Sequence, residues 1–248
     1  MPLGVQAMCT VRGAAPRDGA SRGPWAYFNL GAQNGDDAQA VALNRARLTA
    51  HIGARPVFLD QVHGANVVAL DGNARDGLRA DAAVTDAAGI ACTVLMADCL
   101  PVLLADTAGR RVAAVHCGWR GLAGGVLDNA LAAFADLRGE VIAWLGPCIG
   151  PERFEVGPEV RAAFMACDPG AALCFAPQSG DRLLADLPAL ARRRLTAAGV
   201  TRIFGNDGGA HWCTVQNAAR YFSYRRDQTS IGATGRMAAC IWRTIPPA

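Results

Sequence analysis

IACTVLMADCLPVLLADTAGRRVAAVHCGWRG, residues 90–121, reads as three apolar runs, 90–96, 100–105 and 111–115, separated only by short turns. Val, Ile, Leu and Ala fill these runs without strict alternation, the pattern of strands covered on both faces. The same reading extends outward. Residues 57–62 and 66–70 flank the turn HGAN, and further strands are predicted at 81–85, 141–145, 201–204, 220–224 and 237–243. Helices are predicted at 37–51, with Asp36 or Asp37 as cap and Gly53 as stop, and at 122–137, 157–167 and 187–198. Strands come in runs rather than in steady βαβ alternation, so the expected fold is α+β: packed mixed β-sheets flanked by helices, in a single domain over 1–248.

The turns of that arrangement carry the chemistry. His63, Cys99 and His116 each end an apolar run, and they lie 36 and 17 residues apart. Those spacings are too long for a finger or ribbon knuckle, so a metal site made of them must be assembled by the fold. Structural zinc normally takes four protein ligands, whereas catalytic zinc commonly takes three and leaves a position open. Two imidazoles and one thiol fit the second pattern. The helix predicted to begin after Gly118 would aim its free N–H groups at the same place, which favours an anion there. Arg45 falls near the apolar side of the first helix and needs either an acidic partner or a substrate.

Composition narrows the classes. With 248 residues, 52% of them hydrophobic, the chain builds a real core. No stretch approaches roughly 18 uninterrupted apolar residues, and MPLGVQAMCTVRG has no charged head leading into an apolar segment. Nine Cys without a CxxC pair argue against a disulfide framework. Together these features point to a cytoplasmic protein that does not use a membrane. Net charge is +3 and scattered, which gives no nucleic-acid footprint. All 24 basic residues are Arg, and the missing lysine excludes Schiff-base chemistry and a Walker-type phosphate loop. Four His are too few for a multinuclear copper cluster within one chain, though sufficient for one metal ion.

Seven ordered blocks, NLGAQNGDD followed by Asn44 and Arg45, QVHG, ADAAVTD, MADCLPVLLAD, HCGWRG, LGPCIGPERFEVG and YFSYRRD with TGRMA, span residues 29–242. In that order they resemble the YfiH-like family, whose members carry the labels laccase-domain polyphenol oxidase, purine nucleoside phosphorylase with adenosine deaminase activity, and peptidoglycan editing factor. The resemblance implies a single α+β domain whose metal site is formed by the His of QVHG, the Cys of ADC and the His of HxGW, here His63, Cys99 and His116. It implies zinc, with copper as the alternative. It also implies a small-molecule substrate, a purine nucleoside with phosphate: phosphorolysis of adenosine, inosine and S-methyl-5′-thioadenosine, and deamination of adenosine.

Phosphorolysis needs an anion site, for which Arg45, Arg225, Arg236 and the backbone at Gly118 are the expected substrate-binding groups. Trp119, Phe222 and Tyr224 are candidates to stack on a base. The His-x-Glu and Pro-Cys-x-x-Cys signature of zinc deaminases is absent, which leaves Asp98 as the candidate for proton transfer. Two alternatives use the same residues. Cys99 and His116 could act as thiolate and base in an amidase that edits cell-wall precursors. A copper-dependent polyphenol oxidase would need a weak axial ligand, for which Met96 is nearest. A non-catalytic metal module would need a fourth protein ligand, with Cys117 adjacent.

Overall fold

Every position of the strand Leu100–Asp106 is buried, as its unalternating sequence requires, because each face lies against a different core. The computed structural model describes residues 1–137 and 139–244. In chain order the regular elements are β1 (Val5–Cys9), α1 (Ala38–Ile52), β2 (Arg55–Phe58), β3 (Val67–Ala69), β4 (Ala82–Thr85), β5 (Ile90–Met96), β6 (Leu100–Asp106) and β7 (Val112–Cys117). They continue with α2 (Trp119–Ala123), α3 (Val126–Ala132), β8 (Val141–Leu145), β9 (Glu155–Val156), α4 (Pro158–Met165), β10 (Phe175–Pro177), β11 (Leu183–Ala185), α5 (Leu187–Ala197), β12 (Arg202–Gly205), α6 (Tyr224–Ile231) and β13 (Met237–Arg243).

Two large mixed sheets dominate, one ordered β1-β13-β5-β2 and the other β12-β8-β6-β7-β4-β3, with a small antiparallel sheet β10-β11-β9 beside them. The pairs β2–β5, β3–β4 and β8–β12 are parallel and the rest antiparallel. Side chains alternate across β6: Leu103 and Ala105 meet Val57, Cys92, Val94 and Ile241 between the sheets. Leu100, Val102 and Leu104 instead meet Leu122, Leu127, Leu190 and Leu195 of the helical layer. On the outer face of the four-stranded sheet, Phe58, Ala91 and Trp242 are covered by Leu48 and Ile52 of α1. The molecule is therefore α+β, with packed mixed sheets flanked by helices. Leu104 is fully buried; Leu104→Ala is expected to lower unfolding free energy by about 2–5 kcal/mol in a urea titration, with the slope unchanged.

Local chemistry explains most boundaries. Asp37 accepts hydrogen bonds from the amides of Gln39 and Ala40, and Gly53 ends α1 at φ 63°. The strands 90–96, 141–145 and 237–243 coincide with their sequence reading. Three readings need correction. The helix expected over 122–137 is two short helices, α2 and α3, because Gly124 and Gly125 interrupt it, the latter at φ 89°. The strand expected over 220–224 does not form: Tyr221 and Phe222 are anchored in the core, and Ser223 caps α6 by accepting from the amide of Arg226. The run 57–62 is a strand only to Phe58, with an isolated parallel bridge from Asp60 to Arg79, beyond which residues 61–64 turn toward the site.

Candidate metal centre

His63 leaves the tip of the loop after β2, Cys99 the turn between β5 and β6, and His116 the penultimate position of β7. The β6–β7 register places Leu100 opposite Cys117 and Pro101 opposite His116, which brings the Cys99 turn over the end of β7. One donor atom from each of His63, Cys99 and His116 lies within 4.8 Å of the other two. Cys99 Sγ stands 3.8 Å from His63 Nε2, and the two imidazole rings meet edge-on at 4.9 Å. A tetrahedral ion with ordinary zinc–sulfur and zinc–nitrogen bonds would hold sulfur and nitrogen about 3.6 Å apart. The donor set therefore fits a zinc-like ion with little adjustment.

Two backbone features make room. His63 and Asp98 adopt positive φ, 59° and 88°, a region that non-glycine residues enter at a cost. Gly118 lies against all three candidate donors: a Cβ there would sit 2.9 Å from His63 Cδ2 and 3.1 Å from Cys99 Sγ.

The charges are organised as well. Burial alone would raise the Cys99 thiol, but the charge and hydrogen bond of His116, with a smaller contribution from His63, bring it down to about 6. Burial would likewise lower His116, yet Cys99 and Asp81 lift it to about 9. In the metal-free site the thiolate and imidazolium thus stabilise one another at neutral pH. Asp81 accepts from His116 Nδ1 at 2.8 Å. Although burial works against it, the bond from His116 and the amides of Gly64 and His63 keep Asp81 below the usual carboxylate range. Asp81 was missed in the sequence; it stands inside ADAAVTD and resembles an ordinary strand-leading acid.

His63, Cys99 and His116 line a cavity of about 750 Å³. His63 is exposed, Cys99 half-buried and His116 buried, so the ligand set faces solvent on the His63 side. Arg45, Arg225 and Arg236 all line this cavity. Arg45 lies 3.8 Å over the Phe58 ring and pairs with Asp76, which satisfies the need for a partner without removing it from the wall. Arg225 donates to the Glu155 carbonyl and Arg236 to the carbonyls of Thr234 and Gly235. Among the described residues neither has a carboxylate partner within 4 Å. Burial lowers the pKa of Arg236, opposed by the charges of Cys99 and Asp98.

Asp98 lines the same cavity, but its carboxylate already accepts from Thr214 Oγ1, Ser223 Oγ and the amide of Arg225. Trp119 and Tyr224 face the cavity, whereas Phe222 is fully buried beneath Arg12 and is not available to a base. Arg120, over the Trp119 ring at 4.5 Å, joins the wall and was not singled out from sequence, where an exposed Arg looks like any other. Cys117 is wholly buried in the core beneath α3, with its thiol pushed up by burial; as the strand neighbour of His116 it points away. Met96 is buried in the core between the sheets and also borders the cavity. Among the described residues, His63, Cys99 and His116 are the only cluster of three such donors.

Comparison with known proteins agrees with this architecture. The family model described as multi-copper polyphenol oxidoreductase laccase matches residues 8–244. Purine nucleoside phosphorylase YfiH of Escherichia coli is 48% identical over 243 residues, 97% of this chain and 95% of that protein. Purine nucleoside phosphorylase PA4543 of Pseudomonas aeruginosa is 46% identical over 242 residues, 97% and 94% of the two chains. The crystal structure of Neisseria meningitidis protein NMB0706 superposes with a TM-score of 0.88 at 43% identity, covering 98% of this chain and 96% of that one. YlmD from Geobacillus stearothermophilus gives 0.87 at 31% identity, covering 98% and 93%.

Proposed function

This chain belongs to the laccase-like YfiH family, and from that premise we propose that it is a zinc-dependent purine nucleoside enzyme: a phosphorylase of adenosine, inosine and S-methyl-5′-thioadenosine that also deaminates adenosine. The observation that carries the reading is the set of His63, Cys99 and His116 on a cavity whose wall holds Arg225 and Arg236, neither of which, among the described residues, has a carboxylate within ion-pair distance. In phosphorolysis a phosphate oxygen forms a bond to C1′ as the bond to N9 breaks, and the purine leaves with a proton. Arg236, with Arg225 and Arg45 beside it, binds and orients the phosphate through charged hydrogen bonds, and Trp119 and Tyr224 hold the base by stacking. His63, Cys99 and His116 would hold a zinc ion, which would supply Lewis acidity for the hydrolytic branch, in which water adds at C6 and the amino group leaves as ammonia. Asp98, held by three donors, fixes the Cys99 turn and the start of α6 and is better placed to position than to transfer protons. Nine cysteines without a disulfide suit a reducing compartment, the cytoplasm.

The test is product analysis of the purified protein with adenosine, with and without inorganic phosphate. Free adenine and ribose 1-phosphate are expected only with phosphate; base release that ignores phosphate refutes the phosphorylase. In Arg236→Ala the KM for phosphate is expected to rise about 10–100-fold, the worth of a charged hydrogen bond, with the nucleoside KM little changed.

The chain Asp81–His116–Cys99 favours one second reading, amide hydrolysis by the thiolate. That reaction survives metal chelation, whereas the zinc enzyme does not. Copper-based four-electron oxidation lacks the additional imidazoles it would need.

A further inference from the structure

Asp81 is completely buried, and its carboxylate receives four hydrogen bonds. Oδ1 accepts from the amide of His63 at 2.9 Å and from His116 Nδ1 at 2.8 Å. Oδ2 accepts from the amides of Gly64 at 2.7 Å and Val62 at 3.2 Å. Its backbone carbonyl also receives the amide of His116 at 2.7 Å. One side chain therefore ties together two ligand-bearing segments that approach from opposite sides of β4.

We infer that Asp81 is the positioning residue of the metal centre: it fixes both histidines in the ligating arrangement before any ion arrives, and its charge completes the neutrality of the loaded site. This rests on the metal reading given above. An ionised carboxylate only accepts, so the proton shared with His116 stays on Nδ1, and the proton an incoming ion displaces is the one on Nε2, which leaves that nitrogen's lone pair for the ion. Three successive amides directed at one carboxylate offset the cost of holding His63 at φ 59°. With a divalent cation, one thiolate and two neutral imidazoles, the centre would retain one positive charge, and the buried Asp81 carboxylate beside His116 would cancel it. Carboxylates behind ligating histidines are worth about 10–100-fold in metal affinity.

The test uses full-length protein freed of metal by chelation. Zinc is titrated against a chromophoric chelator, and cobalt(II) is added separately to read the thiolate charge-transfer and ligand-field bands. Wild type is expected to bind one equivalent. Asp81→Asn is expected to bind about 10–100-fold more weakly with displaced cobalt bands, and Asp81→Glu, which keeps the charge but not the reach, to fall between. A residue serving only the fold would lower the thermal midpoint of the metal-free protein and leave these two readouts unmoved. Wild-type affinity in either variant overturns the inference alone. No binding by wild type overturns it together with the metal reading. Should the Asn variant not fold, the Glu variant decides.

Discussion

Gly118→Ala is expected to cost up to about a hundredfold in nucleoside turnover and to weaken metal retention, while the thermal midpoint barely moves. The backbone at Gly118 is ordinary, φ −65° and ψ 155°, so alanine meets no conformational penalty there. What it meets is the site. The new Cβ would lie 2.9 Å from His63 Cδ2, 3.1 Å from Cys99 Sγ and 3.7 Å from His116 Cε1. The first contact is closer than packed atoms accept and the second is tight, and none of the three side chains can yield freely: Asp81 holds His116 and the His63 backbone, and Cys99 sits in a turn anchored by Asp98. Something must shift by several tenths of an ångström, and displacement on the scale of 1 Å at a reacting centre is worth about a hundredfold in rate. Circular dichroism and thermal melting check the fold, and metal analysis with nucleoside turnover checks the site. A variant that keeps stoichiometric metal and near-normal rates would mean that the ligands have slack the geometry does not show.

Cys99→Ala is expected to lower nucleoside turnover by about a thousandfold or more, the scale seen when a central member of a catalytic group is removed, and His116→Ala to do the same. Cys99 is only half-buried, so loss of its sulfur costs little stability; the effect should be confined to metal retention and rate. A proton-linked consequence follows in the metal-free protein. The thiolate is the largest influence raising His116 toward 9, so its removal should let burial draw the His116 pKa down, leaving Asp81 as the remaining upward influence. The sign is visible by NMR titration: His116 loses its proton at lower pH in the variant than in the metal-free wild type. Cys99→Ser should behave like the alanine variant, since a hydroxyl does not ionise in this range. Near-wild-type turnover by either alanine variant would remove the triad from the chemistry.

The residues that bring the site together were legible in the sequence because each ligand terminates an apolar run. Burial on both faces also announced β6 before any register was known. Other features depend on contacts between distant residues. Asp81 acts on residues 18 and 35 positions away, and nothing in ADAAVTD distinguishes a carboxylate that gathers three amides from one that leads into a strand. β1 pairs with β13 across almost the entire chain, so VQAMC acquires its strand character only from that partner. Helix α6 escaped because its buried anchors, Tyr221 and Phe222, precede it, so the aromatic pair mimics a strand while Ser223 begins a polar helix. Gly124 and Gly125 divide one apolar-periodic segment into two helices, which the spacing of Leu127, Leu131 and Phe134 alone does not reveal.

The most direct test of the central claim is metal analysis of the purified full-length chain combined with X-ray absorption at the metal edge. One zinc per chain is expected, surrounded by one sulfur, two imidazole nitrogens and one further light atom from solvent, and absent from Cys99→Ala. A chain purified without stoichiometric metal that also fails to take up zinc, or a centre closed by a second sulfur, would contradict it.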